Sequence, residues 1–498
     1  MRNDPSALSI SNRLRFLLRD STVYGGGAVL SKAFGLLTFP LLGRYFSVED
    51  YGTIDVFTAL AALLSIALML GQDTAVARFF YEYPEADRRA QLISQSLVLQ
   101  VGALAVAMPL LWLAADPIIA SLSQNSDTRV ILQLVLLQIP CRVVGQICES
   151  LLKWTFCKWQ FLAVSVGYVA ATAVLLAAGM LWFELTVTAV FGIYAATNIV
   201  FGLLALWLCR RWLVRPEGFG YLRPVVAFAI PYALIASAAA FVPLGQRLAV
   251  AGLLGSRELG LFAAGAKVAA LILLPIQAFQ LAWGPFSLAI FRQPDAAATY
   301  SVVLKLFAMG IALAVLVTTF CGEALVVFLA SERYAGAGAV VLPLALGLAV
   351  QATGWITGIG VGLSKKSYLS LYAYVVFLST SAAGILLLGG MFGLVGVGWG
   401  ACLGYCSKAL AEGWLAQRAY PLSWPYRRVL GILIITLCLG LLQQAVSSHL
   451  GIVWGTAILL LNVGVLSCAA WVLLLSGDER DRARGLIETR VYGVAPRP

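Results

Sequence analysis

TVYGGGAVLSKAFGLLTFPLLG, residues 22–43, carries a single charge, Lys32. A helix needs about 20 apolar residues to cross the hydrocarbon of a bilayer. A cleavable leader has an apolar region of only about 7–15 residues behind a short basic stretch. This run is too long for that, and the residues before it, Met1 to Asp20, are polar and rich in arginine. It is read as a retained membrane span. Runs of the same kind recur as far as Ser476. The 498-residue chain is 61% hydrophobic and 11% charged, with a mean hydropathy of +0.90. Soluble domains carry about 25% charged residues.

Read outward from residues 22–43, the chain is an all-α polytopic membrane protein with about fourteen transmembrane helices. They lie at 22–43, 53–72, 92–115, 129–150, 161–182, 185–209, 224–251, 258–290, 300–321, 338–363, 368–389, 393–416, 429–446 and 452–475. Pro275 and Pro285 are expected to kink the long run 258–290. Most of the 34 lysines and arginines fall in the segments on one side of this layout, among them Arg2, Arg13, Arg88, Lys153, Arg210, Arg211, Lys365, Arg427 and Arg480. By the positive-inside tendency both termini are cytoplasmic. The net charge of +11 is then mostly topology, and the dispersal of the basic residues over loops argues against nucleic acid as a partner.

Seven cations and four carboxylates fall inside these apolar runs: Lys32, Arg78, Arg142, Arg247, Lys267, Lys305 and Lys408 against Asp55, Asp73, Glu149 and Glu412. A charge in hydrocarbon costs about 3 kcal/mol even on the mildest scale, so such groups face a bundle interior or a wet cavity. The excess of cations points to a cavity that receives an anion and hence to transport of a negatively charged substrate. The nine cysteines form no C-x-x-C, and His449 is the only histidine, so no metal site and no cofactor is expected. There is no G-x-x-x-x-G-K-[ST] nucleotide loop. The longest outer loops, near 116–128 and 322–337, are too short to house an enzyme's catalytic domain, which disfavours a membrane glycosyltransferase; the chain is read as a non-enzyme.

The chain divides into a six-span lobe at 1–209, a basic cytoplasmic linker at 210–223, a second six-span lobe at 224–417, two accessory spans within 418–475 and a cytoplasmic tail at 476–498. A short repeat supports two parallel halves. Ser47-Val48-Glu49-Asp50-Tyr51-Gly52 follows span one, and Gly255-Ser256-Arg257-Glu258-Leu259-Gly260 follows span seven. Each ends acid–apolar–Gly and opens a helix. Gly396, Gly400 and Gly404, four apart, are read as a close-packing face.

Several stretches resemble the polysaccharide flippases of the Wzx type. They are Tyr24-Gly25 with Lys32; Pro40-Leu41-Leu42-Gly43-Arg44-Tyr45-Phe46-Ser47; Glu49-Asp50-Tyr51-Gly52; Gly71 with Ala77-Arg78-Phe79-Phe80-Tyr81-Glu82; Ala282-Trp283-Gly284-Pro285; Gly360-Val361-Gly362-Leu363-Ser364-Lys365-Lys366-Ser367; and Phe392-Gly393-Leu394-Val395-Gly396 running on to Ala401. The resemblance implies the multidrug/oligosaccharidyl-lipid/polysaccharide exporter superfamily, with two six-helix bundles in a V-shaped arrangement and alternating access. It implies an undecaprenyl-diphosphate-linked oligosaccharide moved from the inner to the outer leaflet of the bacterial cytoplasmic (inner) membrane, for O-antigen, capsule or exopolysaccharide. Its partners would be that lipid-linked oligosaccharide, membrane lipids, and a polysaccharide polymerase and chain-length regulator, with a monomer sufficient for transport. An ion-coupled drug or small-solute exporter and a non-transport scaffold of a glycan assembly complex stand as alternatives.

A diphosphate headgroup needs cations. The candidate substrate-binding residues are Lys32, Arg78, Arg142, Arg247 and Lys267; the candidate ion-coupling residues are Asp55, Asp73 and Glu149. Each has a structural alternative. Lys32 could pair internally, Arg78 and Asp73 could anchor at the interface, Asp55 could open its helix in solvent, and Arg142 could pair with Glu149 or Gln138. Lys305 and Lys408 are expected to snorkel, with Glu412 able to meet Lys408 one turn on.

Overall fold

The computed structural model describes residues 38–83, 85–115, 126–155, 157–291, 293–364, 366, 368–474 and 480. Among them every regular element is helical. Helix α1 occupies residues 38–45. It is followed by α2 (Val48–Leu68), α3 (Gln72–Glu82), α4 (Ala86–Leu113), α5 (Ser126–Trp154), α6 (Lys158–Trp182), α7 (Val187–Cys209), α8 (Leu222–Leu254) and α9 (Ser256–Ala269). Then come α10 (Leu273–Ile290), α11 (Ala296–Leu329), α12 (Val341–Thr357), α13 (Ile359–Leu363), α14 (Tyr368–Ala419) and α15 (Tyr426–Leu473). Twelve helices among the described residues are long and apolar enough to cross a membrane. Helices suit such sequence because lipid offers no partner to backbone N–H and C=O groups. The first expected span, 22–43, lies mostly outside the described residues.

One of the twelve, α14, is itself a hairpin, and α15 carries two of the others as its arms. A straight 52-residue helix would run about 78 Å, far beyond a bilayer of about 45 Å. In α14 the chain reverses at Gly393, whose φ of 59° and ψ of −138° only glycine adopts readily. Cβ atoms added at Gly384 and Gly404 would lie 2.9 Å from Gly400 Cα and 2.6 Å from Ser381 Cβ. The four-residue glycine spacing is thus the seam that lets the two arms touch, as expected. In α15, Asn462 donates to the Leu439 carbonyl at 3.2 Å and to Gln443 Oε1 at 3.1 Å, and Gln443 Nε2 donates to the Gly455 carbonyl at 2.9 Å. The last two spans therefore fold back on each other, stapled by buried amides.

The expected kink in 258–290 falls at Ala270–Ile272, a 3-10 turn between α9 and α10. Pro275 has no N–H for the Leu271 carbonyl and its ring crowds that carbonyl, so the helix breaks one turn before it. The second span breaks too. Leu70, at φ 53°, and Gly71, at φ 66°, stand left-handed between α2 and α3. Gln100 Nε2 takes up the Leu68 carbonyl at 2.7 Å.

Packing divides the chain into two compact units, Met1–Ala263 and Ala264–Pro498. In the first, α5 lies along α7, and α2 packs on both α5 and α8. In the second, α12 packs on α14, and α11 on α12 and α15. The segment after α7 is strapped to α4. Val214 N donates to Ser94 Oγ at 2.9 Å, Tyr221 N to Gln95 Oε1 at 3.2 Å, and Glu217 N to Gln91 Oε1 at 3.0 Å. Gln91, Ser94 and Gln95 share one face of α4, which is why they can hold an extended chain.

Candidate functional site

The charged residues in the spans fall into several distinct settings. Lys32 lies outside the described residues. Asp55 and Arg247 meet: Arg247 Nε on α8 donates to Asp55 Oδ2 on α2, with both side chains nearly closed to solvent. A second donor, Arg247 Nη1, reaches the Pro243 carbonyl at 2.9 Å. Sequence separates the two residues by 192 positions, so no periodicity could have joined them.

Arg142 and Glu149 line one cavity of about 140 Å³ between α5, α6 and α7, together with Gln146, Tyr168 and Asn198. Positions 142, 146 and 149 share a helix face. No ion pair joins Arg142 to Glu149 among the described residues. Gln138 bonds to Asn198 Nδ2 at 2.8 Å, and Asn198 Nδ2 also reaches Tyr168 Oη at 3.2 Å. Gln146 Oε1 is buried without a partner. The chamber sets these polar side chains in a largely apolar wall and is wide enough for several waters or a small solute.

Arg78 is exposed on α3, 3.4 Å from Glu82, with its guanidinium 4.8 Å from the Phe228 ring centroid. Asp73, in the first turn of α3, accepts from Thr74 Oγ1 at 3.4 Å. The structure does not bring Arg78 and Asp73 together as a pair. Lys267 is half-buried near the end of α9.

Lys408 departs from expectation. It does not snorkel: it is 1% exposed, 2.8 Å from Glu412 Oε2 and 4.5 Å from the Tyr374 ring centroid. The predicted one-turn pairing with Glu412 holds, and that pairing together with the aromatic face is what makes burial tolerable. Lys305 is also buried, on α11.

Reasoning from charges passed over the amides. Gln72 and Gln100, each no more than 1% exposed, gather at the break after α2, and each has a side-chain atom without a partner among the described residues. Ser96 bonds to Gln72 there. An amide in an apolar run was the signal available for them. Among the described residues no group of histidine, cysteine, aspartate or glutamate could hold a metal ion.

Residues 17–291 match the family of polysaccharide biosynthesis proteins. The chain belongs to that family. Among relatives, an Lsg locus protein 1 of Haemophilus influenzae is 24% identical over 290 residues, 56% of this chain and 67% of that protein. Among solved structures, the lipid II flippase MurJ in an inward closed conformation matches with a TM-score of 0.69 at 13% identity, over 90% of this chain and 98% of that one. An inward-facing multidrug resistance MATE family transporter of the MOP superfamily matches with a TM-score of 0.65 at 16% identity, over 78% and 94%. At those identities the likeness is one of fold. The family member described here is a multi-pass membrane protein with that exporter fold.

Proposed function

We propose that this family member is a flippase that carries an undecaprenyl-diphosphate-linked oligosaccharide from the inner to the outer leaflet of the bacterial cytoplasmic membrane by alternating access, for surface polysaccharide synthesis. The observation that carries the reading is the family match over residues 17–291. The charge inventory supports it: cations outnumber carboxylates inside the spans, as a diphosphate headgroup requires.

On this reading both termini are cytoplasmic and the lobes are 1–209 and 224–417. Lys32, Arg78, Arg142, Arg247 and Lys267 are offered as headgroup contacts. Glu149, which lines the α5–α6–α7 chamber, is the strongest candidate for ion coupling, with Asp55 and Asp73 behind it. A polymerase and a chain-length regulator are the expected neighbours.

The test is a deletion strain. Glycan-loaded carrier should accumulate on the inner leaflet and return to normal when the gene is restored. Carrier that reaches the outer leaflet normally without the protein rejects the reading.

A further inference from the structure

The two repeated loop motifs meet in space. Gly52 ends the first and Gly260 the second, and they pack backbone to backbone. A Cβ added at Gly52 would lie 2.9 Å from Gly260 N and 3.1 Å from Leu259 Cγ. A Cβ added at Gly260 would overlap the Val48 carbonyl. The starts of α2 and α9 are therefore held as close as backbones allow, which explains why both motifs end in glycine.

Asp55 lies three residues beyond Gly52, one turn further along α2. Its ion pair with Arg247 ties α2 to α8, so the glycine contact and the ion pair close the same end of the bundle. Closing an ion pair out of water is costly unless geometry and hydrogen bonds are good, and here the guanidinium is also steadied by the Pro243 carbonyl. Yet Arg247 has donors to spare. A guanidinium has five N–H groups; Nε serves Asp55 and Nη1 serves Pro243. Nη2 makes no hydrogen bond among the described residues, and 11% of the Arg247 side chain still reaches solvent. It can meet a second acceptor without first letting go of the carboxylate.

We propose that Asp55–Arg247 is an exchangeable latch on the outer closure. A diphosphate approaching Arg247 binds first at the open Nη2 edge. It then takes the Nε–H that Asp55 holds, because a phosphate spanning Nε and Nη2 offers bidentate geometry and more negative charge than a carboxylate. Asp55 is released, α2 parts from α8, and the Gly52–Gly260 contact opens. The substrate's own headgroup thereby drives the opening: it has a differential affinity for the open state, as any ligand-driven change requires. This rests on the proposed function in placing these loops on the outer side and spans two and seven in different lobes.

The test needs no glycan. In full-length, cysteine-free protein in nanodiscs, spin labels go at the exposed positions Glu49 and Arg257 and the distance distribution between them is measured. Unliganded protein should give one short population. Asp55→Asn should add a longer population, several-fold above background, and the exchanged pair Asp55→Arg with Arg247→Asp should remove it, which separates a latch from misfolding. Millimolar inorganic pyrophosphate should produce the longer population in the labelled parent and no further change in Arg247→Gln. Potassium chloride at equal ionic strength should do neither. A distribution that ignores Asp55→Asn, or one that ignores pyrophosphate, overturns the proposal. Failure of the flippase reading would instead appear as normal carrier distribution in the deletion strain.

Discussion

The Lys408 ammonium is 2.8 Å from the Glu412 carboxylate, one helical turn on, with Lys408 only 1% exposed. Removing one partner leaves the other charge buried and alone, at a cost of about 3–5 kcal/mol, whereas replacing both by apolar groups of similar size is close to neutral. Lys408→Met should therefore lower the apparent melting temperature in detergent by several degrees. Lys408→Met with Glu412→Leu should restore most of the loss. A single substitution that melts like the parent would mean the pair is not closed to solvent.

The hairpin seam in α14 makes a size test. A side chain at Gly400 would run into the Gly384 backbone, whereas Gly464 and Gly390 face open space. Gly400→Val should sharply reduce the monodisperse yield on size-exclusion chromatography, since overpacking costs about 1–3 kcal/mol and here the obstacle is backbone. Gly464→Ala should change little.

The segment 213–221 is held by side chains of α4. Replacing Gln91, Ser94 and Gln95 together by alanine removes acceptors for three backbone N–H groups. Limited digestion with a glutamate-specific protease should then cut after the exposed Glu217 several times faster, with the spans intact. An unchanged cleavage rate would mean that the strap is held by something else.

Charge, more than hydrogen-bond geometry, should govern a headgroup contact at Lys267. Lys267→Arg should keep substantial transport of lipid-linked oligosaccharide, Lys267→Ala should lose most of it, and Lys267→Glu should be worse, all at normal membrane abundance. Native transport by Lys267→Glu would exclude an anion contact there.

Topology gives a further check. Reporters at the N-terminus, within 210–223 and at the C-terminus should register the cytoplasm, and one near Ser331–Gly336 the outer side. An outward C-terminus would contradict an even number of spans.

The helical membrane fold and the positions of most spans are legible in the order of residues alone, because an apolar run of about 20 residues has few other fates. So are the one-turn pair Lys408–Glu412 and the Gly396–Gly400–Gly404 seam, since both are local and obey helical spacing. What each distant charge meets is fixed by the packed bundle. Asp55 and Arg247 are brought together across 192 positions, and Gly52 and Gly260 across the two halves. Arg142 and Glu149 line a chamber whose other walls are separate helices. The buried glutamines at the break after α2 carry no charge to mark them. Periodicity reports which face of a helix is apolar. Which side chain waits on the opposite face depends on how distant helices pack, and that is set by the shape of the assembled bundle.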